Sequence, residues 1–154
     1  MAQTISIATH KGGTGKTVTS MALGAAFARA GKTCLVVDLD PQGHSTLGLG
    51  VEVGGNEPTL RELFTEPPLP VARLIHKTHL PGLDILPSDI RLARVAQALY
   101  MRPKREELLR RGLASIRSQY AFIIVRISDS SGMCNVEDLL KPDKKRSLGL
   151  TDVA

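Results

Sequence analysis

The sequence predicts an α/β fold: a mostly parallel sheet flanked by helices. Three observations point there. Residues 3–37 read as strand, Gly-rich turn, helix and strand, which is a βαβ unit. Strand-length runs such as Thr33-Cys-Leu-Val-Val37 are continuously apolar, which suits strands covered on both faces. Strand and helix patterns then alternate as far as about residue 125. The 154 residues suffice for one buried core, and 42% apolar with 23% charged residues exclude a disordered chain or a disulfide scaffold. Aromatics are only 3% and Trp is absent, so the core must be aliphatic.

The elements follow in order. Residues 3–9 form the first expected strand, ending in the turn His10-Lys-Gly-Gly-Thr-Gly15. A helix follows from Lys16 to Ala30, closed by Gly31 as its C-terminal cap. Thr33–Val37 is the second strand. Residues 41–58 are rich in Gly and Pro and read as a functional loop with a helical piece near Thr46–Leu49. Thr59–Phe64 reads as a short helix, and Glu66-Pro-Pro-Leu-Pro70 as a breaker. Short strands are expected at Arg73–Lys77 and Leu83–Leu86. Ser88 or Asp89 can cap a helix to about Tyr100. Pro103 interrupts, a second helix runs from about Lys104 to Ser118, and Ala121–Val125 is another buried-strand run. The character changes at Arg126. Residues 126–154 have weak periodicity and a basic cluster, Lys141–Arg146, so the expected division is 3–125 as one α/β domain and 126–154 as a divergent tail.

The chemistry is concentrated in Lys11-Gly-Gly-Thr-Gly-Lys-Thr17, between strand and helix. Glycines allow positive φ and close approach of a ligand. Successive N–H groups then form an anion-binding nest, and the helix N-terminus adds its dipole. Lys16 suits the β/γ-phosphates of a nucleotide and the Thr17 hydroxyl suits Mg²⁺. Val18 and the loop residues Gly12, Gly13, Thr14 and Gly15 complete the candidate nucleotide contacts. Asp38 and Asp40 end the second strand. Two carboxylates there are costly unless they serve a cation or water; the alternative is a polar strand end that caps a nearby helix.

These motifs are similar to those of the ParA/Soj/MinD family of deviant Walker A ATPases. The resemblance rests on Lys11–Thr17, Val37-Asp-Leu-Asp-Pro-Gln-Gly43 and Ile85-Leu-Pro-Ser88, in that order and spacing. His10 replaces the first Gly of the standard phosphate loop, and Lys11 marks the variant form. Asp-Pro-Gln-Gly favours the ParA branch of chromosome and plasmid partition. No membrane-targeting amphipathic helix of the MinD type is read here. The resemblance implies a P-loop NTPase fold with ATP and Mg²⁺ as cofactors. It implies that Lys11 reaches across a nucleotide-sandwiched dimer, Lys16 holds phosphate, Thr17 ligates Mg²⁺, Asp40 orients the attacking water and Asp38 lies near the metal. It also implies a ParB-like partner and non-specific DNA binding.

The pattern breaks at Arg126. The family carries an Asp after this strand as an outer-shell carboxylate for Mg²⁺. A cation there would repel the metal, and only Asp129, three residues on, offers a replacement. Family domains are longer, so the expected fold lacks its C-terminal strands and leaves the first strand on an open sheet edge. The expected protein is therefore a ParA-type ATP-binding chain, truncated or frame-shifted, with impaired hydrolysis. The alternative is a non-catalytic nucleotide-binding or interaction module that pairs with full-length relatives, as a homodimer or a heterodimer with ParA.

The remaining features say less. Net charge is +5, compatible with an anionic partner. Arg91, Arg94, Arg102, Lys104, Arg105, Arg110, Arg111 and Arg117 make residues 88–118 basic, either a DNA surface or a solvated helix face. The two cysteines are far apart, and no His–Cys metal spacing occurs. No run approaches the ~20 apolar residues of a membrane span, and the start lacks a secretory signal, so a cytoplasmic location is expected.

Overall fold

The computed structural model describes residues 2–9, 13–100 and 105–128. Five strands form one sheet: β1 (Gln3–Ile7), β2 (Cys34–Leu39), β3 (His76–Lys77), β4 (Leu83–Leu86) and β5 (Phe122–Ile127). Their spatial order is β1-β5-β2-β4-β3. All neighbours are parallel except β3, which runs antiparallel to β4. The helices are α1 (Lys16–Arg29), α2 (His44–Gly48), α3 (Leu92–Tyr100) and α4 (Arg105–Ala114).

Alternation along the central strands divides the core into two layers. Leu35, Val37 and Leu39 of β2 join Ile123, Val125 and Ile127 of β5 on one face, where Leu92, Leu109 and Leu113 cover them. Cys34, Val36 and Ile124 point to the other face, against Met21, Leu23 and Phe27 of α1. This two-sided burial explains why these strands read as unbroken apolar runs. The scarce aromatics are used sparingly: Phe27 and Phe122 stack with centroids 3.8 Å apart. Leu60–Phe64 is a 3₁₀ turn started by a capping box, in which Thr59 and Glu62 satisfy each other's backbone N–H groups. The Asp89 carboxylate accepts from the Arg91 N–H at 2.7 Å and so takes the capping role ahead of α3.

The expected elements are present, with informative shifts in their ends. The Arg73–Lys77 strand is shorter, because Val71–Arg73 is a 3₁₀ turn. Both central strands are longer than expected. β2 runs on to Leu39 and takes Asp38 into the sheet, while β5 runs through Arg126 to Ile127. Charged residues normally end buried strands; here Asp38 and Arg126 are direct cross-strand partners, so each offsets the other. β1 pairs with β5 and, among the described residues, has no neighbour on its other side, as expected. No helix among the described residues is long and apolar enough to cross a membrane.

Cys34 reports on the integrity of this sheet. Its side chain is fully buried. Burial, helped by the nearby Asp84 carboxylate, pushes its thiol up to about 12. Only about 10⁻⁴ of such thiols are ionised at pH 8, so iodoacetamide should modify Cys34 at least ~100-fold more slowly in the native chain than in urea. Peptide mass spectrometry checks the rate at this residue; equal rates would mean that β2 is not held in the sheet.

Candidate phosphate and cation site

The phosphate loop joins β1 to α1. Gly13 and Gly15 have φ of +74° and +81°, left-handed values that favour glycine. Gly15 is the N-cap of α1 and brings no capping side chain, so the first N–H groups of the helix face the loop. Lys16 opens the helix and is only 7% exposed. Its ammonium donates to the Thr9 hydroxyl at 3.3 Å, and that hydroxyl lies 2.6 Å from the Thr14 hydroxyl. The lysine is therefore held between the end of β1 and the loop. Thr17 is half-buried and Val18 is 65% exposed. Lys11 and Gly12 lie outside the described residues.

Parallel register brings the second half of the site to the same end of the sheet. Asp38 on β2 and Ile7 on β1 both pair with Arg126 on β5. The Arg126 side chain is buried, and its guanidinium gathers three groups. Nη1 forms an ion pair with Asp40 Oδ2 and lies 3.9 Å from Asp38 Oδ1. Nη2 donates to Thr17 Oγ1 at 3.0 Å. His44, largely exposed, approaches the same Asp40 oxygen at 3.6 Å.

Asp38 is fully buried and has a second set of partners. Its Oδ2 accepts from the Thr46 N–H at 3.0 Å and the Thr46 hydroxyl at 2.9 Å. Its Oδ1 accepts from the Asp40 N–H at 3.2 Å. The Thr46 hydroxyl in turn accepts from the Ser88 N–H at 3.0 Å. Asp38 thus serves α2 in the capping manner considered as the alternative for it. Burial pushes its carboxyl above the usual range, opposed by the Thr46 hydroxyl and the Arg126 charge. Gly43 permits this closeness: its φ is +61°, and a Cβ there would stand 2.9 Å from the Ser88 carbonyl oxygen. The Ser20 and Ser45 hydroxyls, 3.3 Å apart, tie α1 to α2 beneath the site.

The oxygen donors expected for Mg²⁺ are thus brought together: Thr17 Oγ1, Asp38 and Asp40. All three already face one guanidinium. A small divalent cation needs these oxygens at about 2.1 Å, and a fixed positive group among them opposes it. With Arg126 so placed, the donor set does not fit a magnesium ion. No group of three or more His, Cys, Asp or Glu residues suited to a metal occurs among the described residues. Asp129 lies outside them.

Other candidates fall into structural roles. Arg91 is held by Asp89 and by the Gly55 and Glu57 carbonyls. Arg111 pairs with Glu107 within α4, and Arg117 donates to the Ala2 carbonyl. This part of the basic segment is therefore partly neutralised within the chain. Arg102, Lys104, Cys134 and the cluster 141–146 lie outside the described residues. Sequence reasoning missed Thr9, Thr46 and the Ser88 backbone as parts of the site. Nothing in a lone hydroxyl residue marks it before the fold places it.

The family model described as "AAA domain" matches residues 2–145. The chain belongs to this ParA/MinD-type P-loop ATPase family. Soj, the sporulation initiation inhibitor protein of Bacillus subtilis, is 36% identical over 143 residues, which are 93% of this chain and 56% of Soj. The chromosome partitioning protein ParA of Caulobacter vibrioides is 35% identical over 141 residues, 90% of this chain and 52% of that protein. Among solved structures, cobyrinic acid a,c-diamide synthase from Mycobacterium smegmatis, with a bound ATP analogue and magnesium, superposes with a TM-score of 0.78. It is 32% identical, and the match covers 84% of this chain and 52% of the synthase. This family member thus spans about half the length of the relatives it matches.

The network around Asp38 should be energetically important. Thr46→Val removes the hydroxyl that serves both Asp38 and Ser88 and leaves two buried polar groups short of partners. A loss of about 2–3 kcal/mol in unfolding free energy is expected, measured by urea denaturation. A loss within experimental error would mean that the hydroxyl is replaceable by water.

Proposed function

We propose that the chain is an ATP-binding protein of the partition-ATPase type with suppressed hydrolysis. One observation carries this reading: the left-handed Gly13–Gly15 turn delivers a buried Lys16 and the N-terminus of α1 to one point. That combination of oriented amides and a fixed ammonium matches the β- and γ-phosphates of a nucleotide. Kinship to Soj and ParA, and the ATP analogue bound to the related synthase, support the choice of ATP.

In this reading Lys16 and the loop amides hold the phosphates, Gly13, Thr14 and Gly15 shape the cradle, and Val18 extends the contact by its backbone. Lys11 reaches a partner's phosphates across a dimer. The suppression of hydrolysis follows from Asp40. A carboxylate that orients water must have a lone pair directed at that water. The Asp40 oxygens instead meet Arg126, the Gln42 N–H and His44. This favours a second reading as well: a nucleotide-loaded module that pairs with longer relatives without turnover. A ParB-like partner, non-specific DNA and a cytoplasmic, nucleoid-associated location belong to either reading.

Titration with a fluorescent ATP analogue tests the assignment. Saturable binding is expected, weakened at least tenfold by Lys16→Ala, which corresponds to about 1.4 kcal/mol or more. Binding that is indifferent to Lys16 would reject the phosphate loop as the site. Phosphate release should be at least ~100-fold slower than that of full-length Soj measured alongside. Turnover within a few-fold of Soj would refute the suppression.

A further inference from the structure

The guanidinium of Arg126 stands where the Thr17 hydroxyl and the Asp38 and Asp40 carboxylates converge. Four features make this a constructed position. The strand register fixes Arg126 directly beside Asp38. Its side chain is 7% exposed, close to the 6% of Asp40. Its two terminal nitrogens divide the work, Nη1 toward the carboxylates and Nη2 toward the hydroxyl of the phosphate loop. An arginine stays charged at every physiological pH, so the positive charge is permanent.

The electrostatic consequence concerns the phosphates. Two carboxylates beside a phosphate loop repel an incoming polyanion, and without a cation between them binding is opposed. In this chain that cation is covalently attached. Arg126 offsets one of the two negative charges and stands between the acids and the Thr17 hydroxyl of the loop. It reaches the loop itself through Thr17, the residue next to Lys16. The inference rests on the nucleotide reading above and concerns the form in which the nucleotide is taken.

We propose that Arg126 is a built-in counter-ion in the metal position, so that this chain binds its nucleotide as the metal-free anion. The phosphates then meet Lys16, the loop amides and the outer edge of the Arg126 guanidinium. No divalent ion bridges them to Asp38 or Asp40. Arg126 is a positioning and specificity residue here: it selects uncomplexed nucleotide over the magnesium complex.

The test compares the full chain with Arg126→Asp and Arg126→Met, using a fluorescent ATP analogue in magnesium and in EDTA. Wild type should bind at least ~10-fold more tightly in EDTA than in magnesium, while magnesium should tighten binding by Arg126→Asp at least ~10-fold. Manganese titration followed by electron paramagnetic resonance, without nucleotide, gives an independent readout. Wild type should leave the ion free, and both variants should bind it. Far-UV circular dichroism establishes folding, and Arg126→Met, which keeps most of the side-chain volume, decides the matter should Arg126→Asp not fold. A wild-type affinity that is the same in the two media, or that collapses in EDTA, would overturn the inference and leave the nucleotide reading standing. Stoichiometric manganese binding by wild type would also overturn it. Absence of nucleotide binding in both media would overturn the nucleotide reading, and the metal-free mode with it.

Discussion

Two carboxylates buried at one end of a strand are the constraint around which this molecule is arranged. Asp38 and Asp40 are each almost wholly removed from water. An isolated buried charge costs several kcal/mol, and breaking one partner from a buried pair costs about 3–5 kcal/mol. The chain meets that cost from every side. β5 supplies a guanidinium, α2 supplies an N–H and a hydroxyl, and the loop after β2 folds its own amides back onto the acids. The segment after β4 joins through Ser88. Four separate stretches of sequence therefore converge on one small volume, and the phosphate loop shares it through Thr17.

This convergence explains how an arginine can reside inside a parallel sheet. β5 is flanked on both sides, so a charge on it has no route to solvent along the sheet. The register with β2 makes Asp38 its nearest neighbour, and the turn after β2 swings Asp40 onto the same guanidinium. A lysine could not substitute well: it would present one point of charge where a planar fork meets a carboxylate and a hydroxyl at once. The carboxylate that the proposed reading would need to direct water is the one that pairs with the arginine.

Much of this was legible in the sequence, and the limits have physical causes. The βαβ unit, the phosphate loop, Lys16, Thr17 and both acids are local patterns, readable because glycine turns and strand periodicity are short-range properties. Arg126 was legible as a departure, but its meaning was not. Read alone it marked the start of a tail and a charge that would repel a metal. Only pairing between residues far apart in sequence shows that it lies within β5 and contacts the acids. Thr46 was hidden for the same reason. Asp38 had two readings, and the choice depended on whether α2 would reach it, which follows from the loop after Asp40 and from the tolerance of Gly43 for a left-handed turn.

The edge position of β1 has a bearing on the order of events as the chain is made. β1 begins at Gln3, and its neighbour in the sheet begins at Phe122. The strand that leads into the phosphate loop thus leaves the ribosome well before β5 and finds its partner only when nearly all of the described chain has followed. Such long-range closure is slow because the entropy of the intervening loop must be lost before any contact repays it. Until then α1 and β2 can pair with later elements, yet the nest of amides has no fixed floor. The phosphate loop is therefore among the last features of the described fold to mature, and β1 stays unpaired until β5 has been made.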